Sequence, residues 1–338
     1  MKAVGYTKQG ALDDDSALVD FETERPSPSG HDLLVKVQAI SVNPVDYKIR
    51  ERRAPEGDLP NVLGWDAVGE VVETGEAASQ FKSGDMVWYA GAIDRPGSNA
   101  EYHLVDERIV GPKPASLSAV EAAALPLTTL TAHEMLFDRL RVIDPVPGAA
   151  PAILVIGGAG GVGSITIQLL RALTDLTVIA TASRPETQDW ARNLGAHHVI
   201  DHREPLAEQV AALGLGMPGF VFSTTHTQSY MPAIGELIAP QGRFGLIDDP
   251  ENLDISVLKP KSASLHWEFM FTRSLFGTAD ISRQSEILTE VSQMVDAGKI
   301  RSTATETIGP ITAQTLRGAH RILANGTARG KMVLEGFG

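Results

Sequence analysis

The spacing of hydrophobic and polar positions along this chain changes character twice. In the N-terminal part, short apolar runs alternate with polar positions: Leu33-Leu-Val-Lys-Val-Gln-Ala-Ile40, Trp65-Asp-Ala-Val-Gly-Glu-Val-Val-Glu73, Met86-Val-Trp-Tyr-Ala90 and Ala100-Glu-Tyr-His-Leu-Val105. Turn residues at Gly75 and Ser83-Gly-Asp85 punctuate them. A period of two with frequent breaks predicts short strands in a compact β-barrel-like domain. At Ser118-Ala-Val-Glu121 a capping-box pattern opens a helix through Ala124 that Pro126 interrupts, and a second helix is expected from Thr131 to Arg141. From Ile153 onward strands and helices alternate. Strands are predicted at 153–156, 176–180, 198–200, 219–222 and 242–247, with helices after the first, at 184–194 and at 230–238. That rhythm specifies a doubly wound parallel sheet of the α/β class. A helix at 282–297 and a strand at 330–335 return to the first domain. The division expected is therefore 1–123 with 282–338 as a β-rich domain, and 124–281 as the α/β domain.

Composition narrows the partners more than the fold. With 43% hydrophobic residues the chain can bury sizeable cores. A formal net charge of −13, without a basic stripe, repels nucleic acid. The N-terminus has no apolar segment of secretory type and no run is long enough to span a bilayer, so a cytoplasmic protein without membrane partners is expected. There is no cysteine, which excludes disulfides, thiol nucleophiles and thiolate metal ligands. The nine histidines show no metal-site spacing, and no metal is expected.

The most informative local pattern is Ile153-Leu-Val-Ile-Gly-Gly-Ala-Gly-Gly-Val-Gly163 followed by Ser164-Ile-Thr-Ile-Gln-Leu-Leu170. Gly158, Gly160 and Gly163 fit G-x-G-x-x-G between a buried strand and an amphipathic helix, the Rossmann corner for a dinucleotide pyrophosphate. Residues Gly158, Ala159, Gly160, Gly161, Val162 and Gly163 are the expected cradle, with phosphates at the positive end of the helix dipole. Where NAD-selective Rossmann proteins carry an acidic residue, this chain has Ser183 and Arg184. A hydroxyl and a guanidinium suit a 2′-phosphate that a carboxylate would repel, so NADPH (NADP+) is the expected cofactor.

Four patterns together resemble the medium-chain dehydrogenase/reductase superfamily. They are Ser41-Val-Asn-Pro-Val-Asp-Tyr-Lys-Ile-Arg50, Leu63-Gly-Trp-Asp-Ala-Val-Gly-Glu-Val-Val72, Gly157 to Gly163, and Gly330-Lys-Met-Val-Leu334. Within it the chain looks like the quinone-oxidoreductase, ζ-crystallin-like branch, a group often labelled zinc-type alcohol dehydrogenase-like. The resemblance implies a GroES-like β-rich domain beside the Rossmann sheet. It also exposes a departure: zinc-dependent members place a cysteine where this chain has Asn43, a His-Glu pair where it has Trp65-Asp66, and a third ligand near Leu125. Asn, Trp and Leu do not supply the donors of a catalytic zinc.

A zinc-independent oxidoreductase delivering hydride to a small-molecule electrophile, a quinone or an α,β-unsaturated carbonyl, is the expectation that follows. A reductase of unsaturated acyl thioesters, with a cationic path including Arg50, Arg52, Arg53 and Arg273, and a non-catalytic NADPH-binding regulatory protein are the alternatives. By resemblance Asn43 lies near the nicotinamide, Tyr47 is the leading proton donor and Lys48 the second. Trp65 is expected to fill the space of the missing metal and shape the substrate pocket. Thr128 and Thr131 are placed on the nicotinamide side, His202 beside the adenosine phosphate, and Lys331 within reach of the cofactor phosphates. The alternation in Ser264-Leu-His-Trp-Glu-Phe-Met-Phe271 predicts an edge strand through which two copies pair as a homodimer.

Overall fold

The computed structural model describes residues 1–10 and 14–338. They form two compact units, one of residues 1–130 and 271–338, the other of residues 131–270.

The first unit is built from β1 (Lys2–Tyr6), β2 (Leu18–Glu22), β3 (Asp32–Ser41), α1 (Pro44–Arg52), β4 (Asn61–Val62), β5 (Ala67–Thr74), β6 (Met86–Tyr89), β7 (Tyr102–Asp106), β8 (Val110–Pro112) and α2 (Ala119–Ala123). Helix α3 (Pro126–His133) follows. The first helix stops before Pro126 as read, with Ala124 as its C-cap, and Pro126 then opens the next helix, because the first position of a helix needs no N–H donor. The capping box at α2 forms as read, with Ser118 and Glu121 each accepting from the other's backbone N–H. The helix expected at 131–141 is not a plain α-helix: α3 passes at Glu134 into a π-helical stretch that ends at Arg139.

In the second unit β9 (Ala150–Ile156) leads through the glycine loop into α4 (Gly161–Leu173). Then come β10 (Thr177–Thr181), α5 (Pro185–Asn193), β11 (His198–Ile200), α6 (Leu206–Ala212), β12 (Pro218–Ser223), α7 (Thr227–Leu237), β13 (Arg243–Leu246) and β14 (Ser264–Trp267). All six strands are parallel, in the order β11-β10-β9-β12-β13-β14. The chain starts in the middle, runs to one edge, and returns across β9 to build the other half. That reversal is the topological switch point of a Rossmann sheet, and ligands bind at the carboxyl ends of the strands there. Leu154, Ile156, Ile179, Val221, Phe244 and Leu246 form its core with Ile234 and Leu258, which is why these strands read as continuous apolar runs.

The return to the first unit supplies α8 (Thr272–Phe276), α9 (Arg283–Asp296), β15 (Ala304–Thr307), α10 (Ala313–Ala324) and β16 (Lys331–Glu335). Strand β16 pairs antiparallel with β3, Val333 opposite Ser41, within the sheet β15-β16-β3-β5-β6-β8, where β7 also pairs β3. A separate small sheet has the order β2-β1-β4. The first unit is the β-rich GroES-like fold expected. Among the described residues no helix is long and apolar enough to cross a membrane.

Candidate active site and cofactor cradle

The glycine loop shows three different steric demands. A Cβ built on Gly158 would lie 2.8 Å from the Ala180 Cβ, and one on Gly163 would lie 2.2 Å from the Gly157 carbonyl oxygen. Both positions exclude any side chain because strand and helix meet there. A Cβ on Gly160 would meet only the Gly157 oxygen, at 3.5 Å, and otherwise faces open space. Gly160 is the N-cap of α4, and the N–H groups that follow it lack intrahelical acceptors. An open glycine before unsatisfied donors is the cradle a pyrophosphate requires. The fit to a dinucleotide therefore rests on this loop's own shape, with Gly161, Val162 and Gly163 supplying the first turn and Ala159 nearly buried behind it. Gly157 takes φ +84°, with its N–H donated to the Thr181 hydroxyl at 3.0 Å.

The neighbouring strand ends carry the other cofactor candidates. Ala182 donates its N–H to the Ile200 carbonyl at 3.0 Å, so Ser183, Arg184 and His202 emerge side by side beyond β10 and β11. Arg184 is the N-cap of α5, with Pro185 at its first position, and its Nε lies 2.9 Å from Glu186 Oε1. Arg203 joins the two loops, donating to both Asp201 oxygens and, at 2.9 Å, to the Ser183 carbonyl. Beyond β12 and β13, Thr227 donates its N–H to Asp248 at 2.8 Å and is linked through its hydroxyl to Asp248 and Ser223.

In the first unit, α1 begins where β3 ends, and its Asn43 N-cap is bound into a buried charged network. The Asn43 amide donates to the Trp65 carbonyl at 3.1 Å and to Asp66 Oδ2 at 2.8 Å. Its oxygen accepts from the Lys331 ammonium. Lys331, only 4% exposed, also donates to the Val42 carbonyl at 2.9 Å and to Asp66 Oδ2 at 3.0 Å. Asp66 accepts further from the Ser41 hydroxyl at 2.8 Å and, on its other oxygen, from the Leu127 N–H at 2.7 Å. A buried ion pair persists only where such extra donors offset the cost of removing both charges from water. Asp46, fully buried, accepts from the Asn43 N–H at 2.6 Å, while its other oxygen has no partner among the described residues. Burial pushes its carboxyl up to about 7, against the N–H bond and the Lys331 charge, which lower it.

Lys331 was expected at cofactor phosphates. All three of its donors are instead spent inside the first unit, on Val42, Asn43 and Asp66. Trp65 is 2% exposed, donates to the Ala92 carbonyl at 3.1 Å and meets Phe271 edge-on at a centroid distance of 6.1 Å. Thr128 is buried on α3 and donates back to the Leu125 carbonyl at 3.0 Å; Thr131 is buried one turn on. Tyr47 and Lys48 are half-buried on α1. The first unit thus gathers Asn43 and Lys331 into one network beside Trp65, and the second gathers the glycine loop, Ser183, Arg184 and His202.

Sequence reasoning did not find Asp66 as the hub, nor Asp46 or Ser41. A lone carboxylate inside the otherwise uncharged stretch Leu63 to Gly69 was the available signal, but its cationic partner stands 265 positions away. The donor set also does not fit the zinc of related dehydrogenases. An amide, an indole and a leucine stand at the ligand positions that the resemblance marks at Asn43, Trp65 and Leu125, and the Lys331 ammonium fixed beside Asp66 opposes a second cation. Among the described residues no group of three or more histidines, aspartates or glutamates is arranged to hold a metal.

Comparison with known proteins agrees with this architecture. Residues 29–115 match the alcohol dehydrogenase GroES-like domain and residues 194–334 the zinc-binding dehydrogenase family. A zinc-type alcohol dehydrogenase-like protein of Staphylococcus epidermidis is 39% identical over 99% of both chains. A crystal structure from Rhizobium etli CFN 42, provisionally named a zinc-dependent alcohol dehydrogenase protein, is 60% identical with a TM-score of 0.98, covering 100% of this chain and 98% of that one. The quinone oxidoreductase of Pseudomonas syringae pv. Tomato DC3000 is 25% identical with a TM-score of 0.82, covering 99% of each chain. Fold, glycine loop and relatives together define a nicotinamide-type oxidoreductase. The chain belongs to the medium-chain dehydrogenase/reductase superfamily, with quinone oxidoreductases among its structural neighbours.

Proposed function

We propose that this protein is a zinc-independent, NADPH-dependent reductase of quinones or α,β-unsaturated carbonyl compounds. The observation that carries this reading is the Lys331–Asp66–Asn43 network, which sets a fixed ammonium against two of the positions where the resemblance puts metal ligands. Polarisation of an unactivated alcohol by a Lewis acid has no ligand set here. The substrates left are those whose own conjugation spreads the developing charge. Bound NADPH supplies the hydride; the protein supplies alignment, exclusion of water and a proton. In this reading Tyr47 or, second to it, Lys48 donates the proton, and both ride on α1. The network positions that helix through Asn43, and Trp65 shapes the apolar wall. Thr128 and Thr131 line the nicotinamide side.

NADPH rather than NADH is favoured by Ser183 and Arg184, in the absence of an acidic side chain at the end of β10. A charge-assisted hydrogen bond is worth about 1.5–3 kcal/mol. Arg184→Ala therefore lowers NADPH affinity by about tenfold to a hundredfold and leaves NADH nearly unchanged. Equal losses for both would remove the assignment. The acyl-thioester alternative loses support because Arg50 is 0% exposed and Arg273 is 7% exposed and paired with Asp280 at 3.0 Å.

The test is NADPH consumption by chelator-treated protein with a quinone and a simple enone in parallel. Turnover that survives chelation supports the reading. Tight NADPH binding without turnover of either compound overturns it in favour of a nucleotide-binding regulator. We also propose that two copies pair through the outer edge of β14, where Trp267 is 54% exposed.

A further inference from the structure

We propose that His202 and His226 form, with Arg184, a proton-linked anion site for the 2′-phosphate, so that the protein takes up protons as NADP(H) binds. This rests on the NADPH reading above and adds a residue and a regulation to it. His202 follows β11 and His226 follows β12, both at the carboxyl ends of the parallel sheet. No hydrogen bond holds either ring among the described residues. Arg203 is committed to Asp201 and the Ser183 carbonyl, and Arg184 keeps part of its fork on Glu186.

The backbone agrees. His226 sits at φ 51°, ψ 30° as the N-cap of α7, a left-handed conformation that costs a non-glycine residue free energy and clusters at ligand sites. The groups facing His202 are Asp201, Arg203, His226 and Arg184. Burial holds the His202 imidazole below the usual histidine range. Asp201 opposes this, while Arg203, His226 and Arg184 push the same way as burial. An imidazole held neutral by burial is a group that a dianion recharges: the phosphate reverses the local sign beside His202, whose ring binds a proton and donates to it, while His226 lends a second ring N–H. The net charge of −13 makes such local recharging useful, since the protein's overall field repels the ligand.

The experiment is calorimetric titration of NADP+ and NAD+ between pH 6 and pH 8.5, in buffers of different ionisation enthalpy. Expected are net proton uptake with NADP+ alone and an NADP+ affinity that falls with pH by up to about tenfold per unit above neutrality. The phosphate's own second ionisation, near pH 6, would change affinity in the opposite direction, so the sign separates the two. His226→Gln and His202→Gln should each reduce the uptake and weaken NADP+ several-fold more than NAD+, with an unchanged thermal unfolding midpoint certifying the fold. NADP+ preferred at every pH without proton uptake, or uptake that persists in the double variant, overturns the histidine site alone. Equal affinity for both nucleotides at every pH overturns it together with the NADPH reading.

Discussion

A methyl group added at Gly160 and one added at Gly163 have opposite consequences. At Gly160 the new atom faces open space, and the backbone, φ −75° and ψ 176°, suits any residue. Gly160→Ala should melt within a degree or two of the native protein while binding nucleotide about tenfold or more weakly, about 1.4 kcal/mol. At Gly163 it collides with backbone, so Gly163→Ala should lose about 1–3 kcal/mol of stability or fail to accumulate. Thermal unfolding and nucleotide titration of the pair check both claims. A second residue-scale expectation concerns Lys331. Lys331→Met leaves the buried Asp66 without its cation, at a cost of about 3–5 kcal/mol, measured by denaturant unfolding. The glycine loop was legible because its whole meaning lies within a few consecutive residues. Lys331 was not, because a lysine inside Gly330-Lys-Met-Val-Leu334 reveals nothing of the strand partner that buries it.

Among the elements, the parallel strands declared themselves through unbroken apolar runs, since both faces of the sheet are covered. Alternation misled at the edge. Leu265, Trp267, Phe269 and Phe271 keep a period of two, yet β14 ends at Trp267. The chain departs where Glu268 turns inward, its side chain fully buried, to meet Arg139 at 2.8 Å and the Glu134 carboxyl. Burial, then the Glu134 charge, pushes the Glu268 carboxyl well up. Two acids and one base drawn from segments far apart in sequence override a local pattern. The truncated strand still presents Trp267 outward, so Trp267→Lys should turn the proposed dimer into a monomer in light scattering, without altering nucleotide affinity. A monomeric native protein at micromolar concentration would end that proposal.

For the whole molecule, buried ionisable groups set an unusual pH profile. Burial holds His103 down at about 4 and, with Arg50 adding to it, His320 down at about 3. Both stay neutral when folded, so their contribution is present above about pH 6.5 and is lost as pH falls, about 2 kcal/mol each by pH 5. Asp46 acts in the other direction. Its raised folded value makes its contribution full below about pH 4 and lost as pH rises through about 7. Glu268 shares that sign. The opposed slopes offset one another at mildly acidic pH, so stability should be greatest there and decline on both sides. Unfolding free energy measured from pH 4 to 8 should show this, with Asp46→Asn removing part of the decline between pH 6 and 7.5. A monotonic rise to pH 8 would contradict it.

The buried network also has a consequence in time. Strand β3 and Asp66 leave the ribosome early, but β16 and Lys331, which complete their sheet and their charge balance, are made 265 residues later. At ordinary synthesis rates that interval is on the order of tens of seconds. The continuous segment 131–270 is translated in between and has every strand of its sheet in hand before the first unit does. For that interval the early segment holds an aspartate it cannot yet bury. A nascent chain that stalls before Lys331 therefore carries a finished nucleotide fold beside an unclosed β-sheet, a distinction that proteases and chaperones can read.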